Sequence, residues 1–409
     1  MNYILFDDLG GDNFRPLTFT RTTADLFAGC FTNRQRWSMM LNAQVSSLTH
    51  EYLQKKFPIS IQNDNTLING RLIPSKSLLK DLSKLAEGEI LVHNETVLAA
   101  RLNERLLNEF LKKADESEKY DRHAIFSKMD VRKVRVAFTP VVLQHLWDLF
   151  EMNDDLIKMD KSLMNLDSFG ADADENSKLI GDDIFIHTTA RVNASIINAS
   201  NGPVIIDEGA EVMEGCMIRG PFYLGKNSVL KMGTKIYGAT SIGHYSKIGG
   251  EVTNSVVNSY SNKAHDGFLG NSVIGEWCNL GADTNTSNLK NDYGTVKFWN
   301  YRSNEFEDSM RQFLGLVMGD HSKCGINTMF NTGTVVGVSC NIYGGDFIPK
   351  LIPSFSWGGS KGFDDYIFEK AIKVVERVME RRDLTLGEND ASVLRYLFEN
   401  SQELRKKYH

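Results

Sequence analysis

Proline and cysteine are scarce in this chain, with 8 and 5 of 409 residues. The five cysteines, at 30, 216, 278, 324 and 340, are an odd number with no Cys-x-x-Cys pair. That argues against a disulfide framework or a zinc site and fits reduced thiols. No run of 18 apolar residues occurs, so no membrane-spanning segment is expected. Positive charge is not in excess either: the formal net charge is -6, which argues against a general nucleic-acid binder. The opening MNYILFDDLGG turns acidic after a few apolar residues, which is not the pattern of a secretory signal. A cytoplasmic location is the expectation.

What is present is glycine, unevenly spread: 23 of the 33 lie between 181 and 345. At 409 residues two or more domains are expected, and that shift marks a change of architecture. Every sixth residue from 206 reads Ile206, Val212, Ile218, Leu224, Leu230, Ile236, Ile242, Ile248. Eight aliphatics in a row arise by chance on the order of once in 10^5 trials, so the period is real. Four residues after each come Ala210, Cys216, Phe222, Ser228, Thr234, Thr240, Ser246 and Val252, mostly small. The pattern predicts a solenoid of short strands. Aliphatic side chains stack inward coil upon coil, small residues turn the corners, and three hexads close a triangular coil of about 18 residues. The beat continues through Phe268, Ile274 and Leu280, where it carries a histidine, His265, and several asparagines. A plain scaffold needs neither.

Ahead of the solenoid, strands alternate with helices. Tyr3–Phe6, Thr66–Ile68 and Ile90–His93 read as strands. Asn33–Lys56, with Trp37, Met40, Leu41, Val45 and Leu48 on one face, reads as a helix, as does Arg101–Lys113. Pro140–Lys161 reads as a connecting helix and 167–178 as a linker. After the solenoid comes turn-rich Ser354–Gly362. Asp364 is then expected to cap a helix with Ile367, Ala371, Val374 and Val378 on its face. A second helix carries Val393, Leu394, Leu397, Phe398 and Leu404, and the pair is expected to cover the last coil. The domains read as 1–138 (divergent α/β), 139–179 (helical link), 180–353 (β-helix) and 354–409 (helical extension).

The hexads resemble the left-handed parallel β-helix of hexapeptide-repeat acyltransferases. The stretch 265–288 is more specific: His265, Phe268, Leu269-Gly270, Ile274-Gly275, Asn279-Leu280-Gly281-Ala282-Asp283-Thr284 and Asn288. It resembles the acetyltransferase domain of the bifunctional N-acetylglucosamine-1-phosphate uridylyltransferase/glucosamine-1-phosphate acetyltransferase family and its archaeal relatives. The resemblance implies an α/β nucleotidyltransferase-like domain, a left-handed β-helix and a helical C-terminal cap. It implies acetyl-CoA as acyl donor and a homotrimer with sites between subunits. The substrate would be a small sugar phosphate or nucleotide sugar. His265 would be the general base. Asp266 would orient its ring or point away. Asn279 would bond the sugar or be a ladder or turn residue. Phe268 stands where the family has tyrosine. Ala282, Asn288 and Gly344 would line the coenzyme path, and Lys290 and Lys297 would meet phosphate or stay solvated. Two departures stand out. Asp283 replaces a glycine, and Ile326 stands where the family has a small serine, though the archaeal relatives share that form.

The first domain shows a partial match. Arg15-Pro16-Leu17-Thr18 and Thr20-Arg21 resemble the arginine-rich phosphate region of sugar nucleotidyltransferases. Gly10-Gly11 lies among Asp7, Asp8 and Asp12, however. Thr22-Thr23 replaces Pro-Lys, and Arg71 in Asn69-Gly70-Arg71 stands where a metal-binding aspartate is expected. Arg15, Arg21, Arg34 and Arg71 are the candidate phosphate ligands. Mg²⁺ and a nucleoside triphosphate are implied if transfer is retained, with no metal ligand assigned. Three functions follow: N-acetyl transfer to an amino-sugar phosphate or nucleotide amino sugar; sugar-1-phosphate nucleotidyl transfer; or a non-catalytic scaffold binding a nucleotide sugar.

Overall fold

In the computed structural model, which describes residues 1–115 and 122–408, the chain divides into two units. The first comprises Met1–Phe14, Thr20–Leu26 and Phe31–His145; the second comprises Arg15–Phe19, Phe27–Cys30 and Leu146–His409.

The first unit is built on a six-stranded sheet. Its order is Val45–Leu48, Asn2–Phe6, Asp64–Asn69, Thr96–Asn103, Glu89–His93, Arg132–Arg135. The first three strands are parallel. Alternation along Asn2–Phe6 sends Ile4 and Phe6 into one apolar layer, with Phe110 and Phe126. Leu5 goes into the other, with Trp37 and Leu78. The expected helix over 33–56 is three elements: helix Asn33–Leu41, strand Val45–Leu48 and helix Glu51–Gln54. Asn42 ends the first helix in the left-handed region, at φ 49°. Asparagine tolerates that conformation, and the chain then turns into the sheet. The expected helix at 101 begins instead at Glu104, because Arg101 lies in the strand Thr96–Asn103.

The second unit is a three-sided parallel β-helix. All eight hexad aliphatics point inward and are at most 3% exposed. One face runs from Ile184–Ile186 to Leu351–Ile352 as nine strands. A second runs from Arg191–Val192 to a final antiparallel hairpin, Ser356–Gly359 with Gly362–Asp365. The ladder therefore continues past the expected end at 353. The third face has six strands, Lys178–Ile180 to Phe268–Gly270, and is extended by Asn285–Thr286 against Met329–Phe330. On the first face the outward residues are buried too, among them Ile205, Tyr223, Val256, Val273, Val317 and Val335. Part of this cover is the helix Asn153–Lys161. Asn153 accepts from Gly29 N and Ser241 Oγ and donates to the Ala239 carbonyl. The expected single helix over 140–161 is in fact Asp148–Glu151 and Asn153–Lys161, with residues 140–147 outside it.

After Thr286 the chain leaves the coil. The excursion is closed by a bridge between Leu289 and Phe313 and carries a hairpin, Lys297–Asn300 with Glu305–Asp308. The C-terminal helices are Phe368–Glu380, Glu388–Asn400 and Gln402–Tyr408. Asp364 does not cap the first of these. It lies in the strand Gly362–Asp365, and the buried face is Phe368, Ala371 and Val375, while Ile367 is exposed. Nor does this helix only cover the last coil. It starts against Phe355, and Arg382 just beyond its end donates to the Tyr245 carbonyl. It thus runs back along the solenoid beside a corner of stacked rings, Tyr245, Tyr260, Trp277 and His321.

A notch at the His265 corner

The corners between the second and third faces hold the site. Strand pairing aligns Ile248 with Lys263, Asn279 with Lys323, and Leu280 with Cys324 and then Ile342. Counting from these inward positions puts His265, Ala282, Ile326 and Gly344 in one row along the corner, one per coil. His265 and Gly344 are three strand spacings apart, roughly 14 Å along the axis. His265 and Gly344 are exposed and Ala282 half-buried. Ile326 is 67% exposed. Among the described residues the His265 ring makes no hydrogen bond or ion pair, so Asp266 does not orient it within one chain.

Most of these corners have four residues between strands: 231–234, 264–267, 281–284 and 325–328. The corner between them at Gly249-Gly250 has two. Gly250 makes the short turn with φ 74°, and a Cβ on it would collide with the Gly267 carbonyl. The two missing residues leave a notch of about 570 Å³ lined by Lys231, Met232, Gly249, Gly250, Ala264, His265, Asp266, Ala282 and Asp283. Met232 overhangs it, 71% exposed.

Other expected site residues lie around this corner. Asn279 is exposed on the second face, in register with Asn262 and Lys323. Phe268 opens the third-face strand. Its backbone N–H donates to Asn285 Oδ1, and the inward residue there is Leu269, so the expected beat is one residue off. Asn288 lies at the next corner, outside the notch, where its amide donates to Asn271 Oδ1 at 2.8 Å. Lys290 pairs with Asp292, and Lys297 is exposed on the hairpin.

In the first unit Arg71, expected as a phosphate ligand, is buried and engaged by the chain itself. Its Nε and Nη2 donate to the Asp8 carboxylate at 2.7 and 2.6 Å, and its Nη1 donates to the Leu143 carbonyl. Its guanidinium lies where a Cβ on Gly10 would stand, so the chain's own arginine covers the Gly10-Gly11 turn. Asp7 accepts from Thr23 and Thr49, and burial, which outweighs these bonds, raises its pKa. Asp25 is paired with Arg34. Asp7, Asp8 and Asp25 are thus engaged internally. Among the described residues no cluster of three His, Cys, Asp or Glu could hold a metal ion. Arg21 is buried, and Arg15, which is grouped with the second unit, lies over the Phe19 ring.

Residues 3–168 match a family model described as sugar nucleotidyl transferase. The chain is 33% identical over 202 residues to the bifunctional protein GlmU of Methanocaldococcus jannaschii, covering 48% of this chain and 47% of that one. Over that stretch the chain is similar to GlmU. It is also 36% identical over 155 residues to the bifunctional sugar-1-phosphate nucleotidylyltransferase/acetyltransferase of Sulfurisphaera tokodaii, covering 36% of this chain and 37% of that one. Among solved structures, the polySia-specific acetyltransferase NeuO aligns at 13% identity with a TM-score of 0.29, covering 53% of this chain and 99% of that one. The chain spans about half the length, or less, of these curated relatives.

Sequence reasoning missed the notch and Lys263. The notch has a signal: after Ile248 the next inward residue is Val252, four residues on rather than six. Lys263 had none, because its phase could be read only after that break and a second, five residues from Val252 to Val257, had been placed.

Proposed function

We propose that this protein is an acetyl-CoA-dependent N-acetyltransferase acting on an amino-sugar phosphate or a nucleotide-linked amino sugar. The observation that carries the reading is the solvent-open His265 ring beside a notch, in one row with Ala282 and Gly344. The row suits an extended thioester. Ala282 is small, and Gly344 has nothing within 3.6 Å of where a Cβ would stand, so the corner stays open alongside Ile326. Bound there, acetyl-CoA supplies the acyl group. His265, in its neutral form, takes the proton from the amine nitrogen as that nitrogen attacks. Asn279, one strand away and exposed, bonds the sugar. Asn279 stands on the second face, outside the notch lining, and a neighbouring subunit completes the site in a homotrimer.

The test follows free thiol release from acetyl-CoA with a panel of amino-sugar 1-phosphates and nucleotide amino sugars. Release should depend on one sugar, and His265→Ala should lower it by about 10²–10⁴-fold with assembly retained. No release with any sugar from folded protein would sink the reading.

The family match over residues 3–168 favours a second reading for the first unit, nucleotidyl transfer or nucleotide-sugar binding. Transfer would release pyrophosphate from a nucleoside triphosphate and sugar 1-phosphate, and EDTA would stop it. Thermal stabilisation by a nucleotide sugar without product would leave the unit a binding module.

A further inference from the structure

Lys263 occupies an inward position that the neighbouring coils give to Leu230, Ile248, Leu280, Cys324 and Ile342. Its strand partners in the ladder are Ile248 on one side and Leu280 on the other, and it is 2% exposed. Among the described residues its ammonium has no carboxylate hydrogen-bonded to it. It donates instead to three backbone carbonyls: Gly249 at 3.1 Å, His265 at 2.8 Å and Asp266 at 3.3 Å. A charge inside a coil costs stability relative to an aliphatic side chain of similar size.

The neighbouring corners show what the lysine replaces. In each full corner nearby the fourth residue is threonine, and its hydroxyl bonds the carbonyl of the first: Thr234 to Lys231, Thr284 to Gly281, Thr328 to Gly325. At the His265 corner the fourth residue is Gly267, with φ 113°, where a Cβ would strike the Thr284 carbonyl. The threonine clamp is therefore absent there. Without it, carbonyls turned inward need another donor. Lys263 reaches them from within the coil, at residues 265 and 266 rather than 264.

We propose that Lys263 is a positioning residue that fixes the His265–Asp266 corner from inside the coil and so sets where the His265 ring stands over the notch. The assignment rests on His265 being the proton acceptor of the acyl transfer proposed above. The ammonium does not touch the reacting atoms. It holds the backbone on which the ring is carried, and a ring that wanders by an ångström loses its attack geometry.

The experiment uses the full chain and two variants, Lys263→Met and Lys263→Gln. Methionine fits the aliphatic stack but cannot donate; glutamine keeps a donor on a shorter stem. Lys263→Met should keep or raise the melting temperature. Hydrogen exchange of the peptide spanning 263–268 should speed up at least about tenfold, with the coils above and below unchanged. The ¹³C signals of the His265 ring should shift, kcat should fall at least about tenfold, and KM for acetyl-CoA should stay within about twofold. Lys263→Gln should recover part of each. A folded Lys263→Met with wild-type exchange, His265 signals and kcat overturns the proposal. So does failure of both variants to fold, which would make the lysine a structural residue only. If the wild-type protein transfers no acyl group, the functional reading fails, and the exchange and the His265 signals alone decide the positioning role.

Discussion

Arg71 and Lys263 are both cations removed from water, and the fold satisfies them differently. Arg71 has a carboxylate, Asp8, in a two-point pair that leaves little of either to bind a phosphate. Lys263 has only carbonyls, and burial lowers its pKa from 10.5 to about 8. The titratable groups facing it are Asp266 on its own corner, Asp283 on the next and Cys324 in the coil beyond. The sign follows from proton counting. Between about 8 and 10.5 the unfolded chain keeps the proton that the folded chain has released, so stability rises with pH across that window. Lys323, also lowered to about 8 by burial, acts in the same direction. Urea midpoints from pH 7.5 to 10.5 should climb less steeply in Lys263→Met than in the wild type. Equal slopes would mean that Lys263 keeps an ordinary pKa.

At the scale of the element, the corner is the unit that matters. Serine hydroxyls already join successive coils at another corner. Ser228 Oγ donates to the Gly243 carbonyl and accepts from Ser246 N, and Ser261 Oγ accepts from Cys278 N. Against that regular background the two-residue turn at Gly249-Gly250 is the exception, and the notch is its consequence. Inserting two residues, Asn-Gly, between Gly249 and Gly250 should restore a full corner and fill the notch. Circular dichroism should show the β-helix intact, while acyl transfer should fall at least about tenfold. Retained activity would place the substrate elsewhere along the row. The hexads were legible because an aliphatic every six residues has no helical counterpart. The helix expected over 33–56 failed because Val45 and Leu48, three residues apart, fit a helical face, whereas in the strand they enter opposite apolar layers. Asn42 was the available stop signal.

At the scale of the whole molecule, the second unit uses its three faces unequally. The first face is apolar outside as well as inside and is covered by the chain itself. The second and third faces carry Asn279 and Phe268 on either side of the His265 corner. A site assembled between copies makes a sharp prediction. Mixing inactive His265→Ala with inactive Asn279→Ala protein, then exchanging subunits, should restore part of the thiol release. Mixed assemblies that stay inactive would place both residues in one chain's site. A monomer in light scattering would remove the assembly altogether.

The sequence by itself determined the coil, its period and the inward stack, because each hexad repeats one local rule. It also marked His265, through the residues around it. Only the tertiary structure decided what depends on phase and on distant partners. Arg71 is committed to Asp8, 63 residues away in the chain. Asn288 belongs to a ladder with Asn271, 17 residues back. Lys263 faces inward because two shortened steps, four residues from Ile248 to Val252 and five from Val252 to Val257, reset the register before it. A side chain's role in a solenoid is set by its neighbours one coil away, and that neighbour is known only when every preceding corner has been counted.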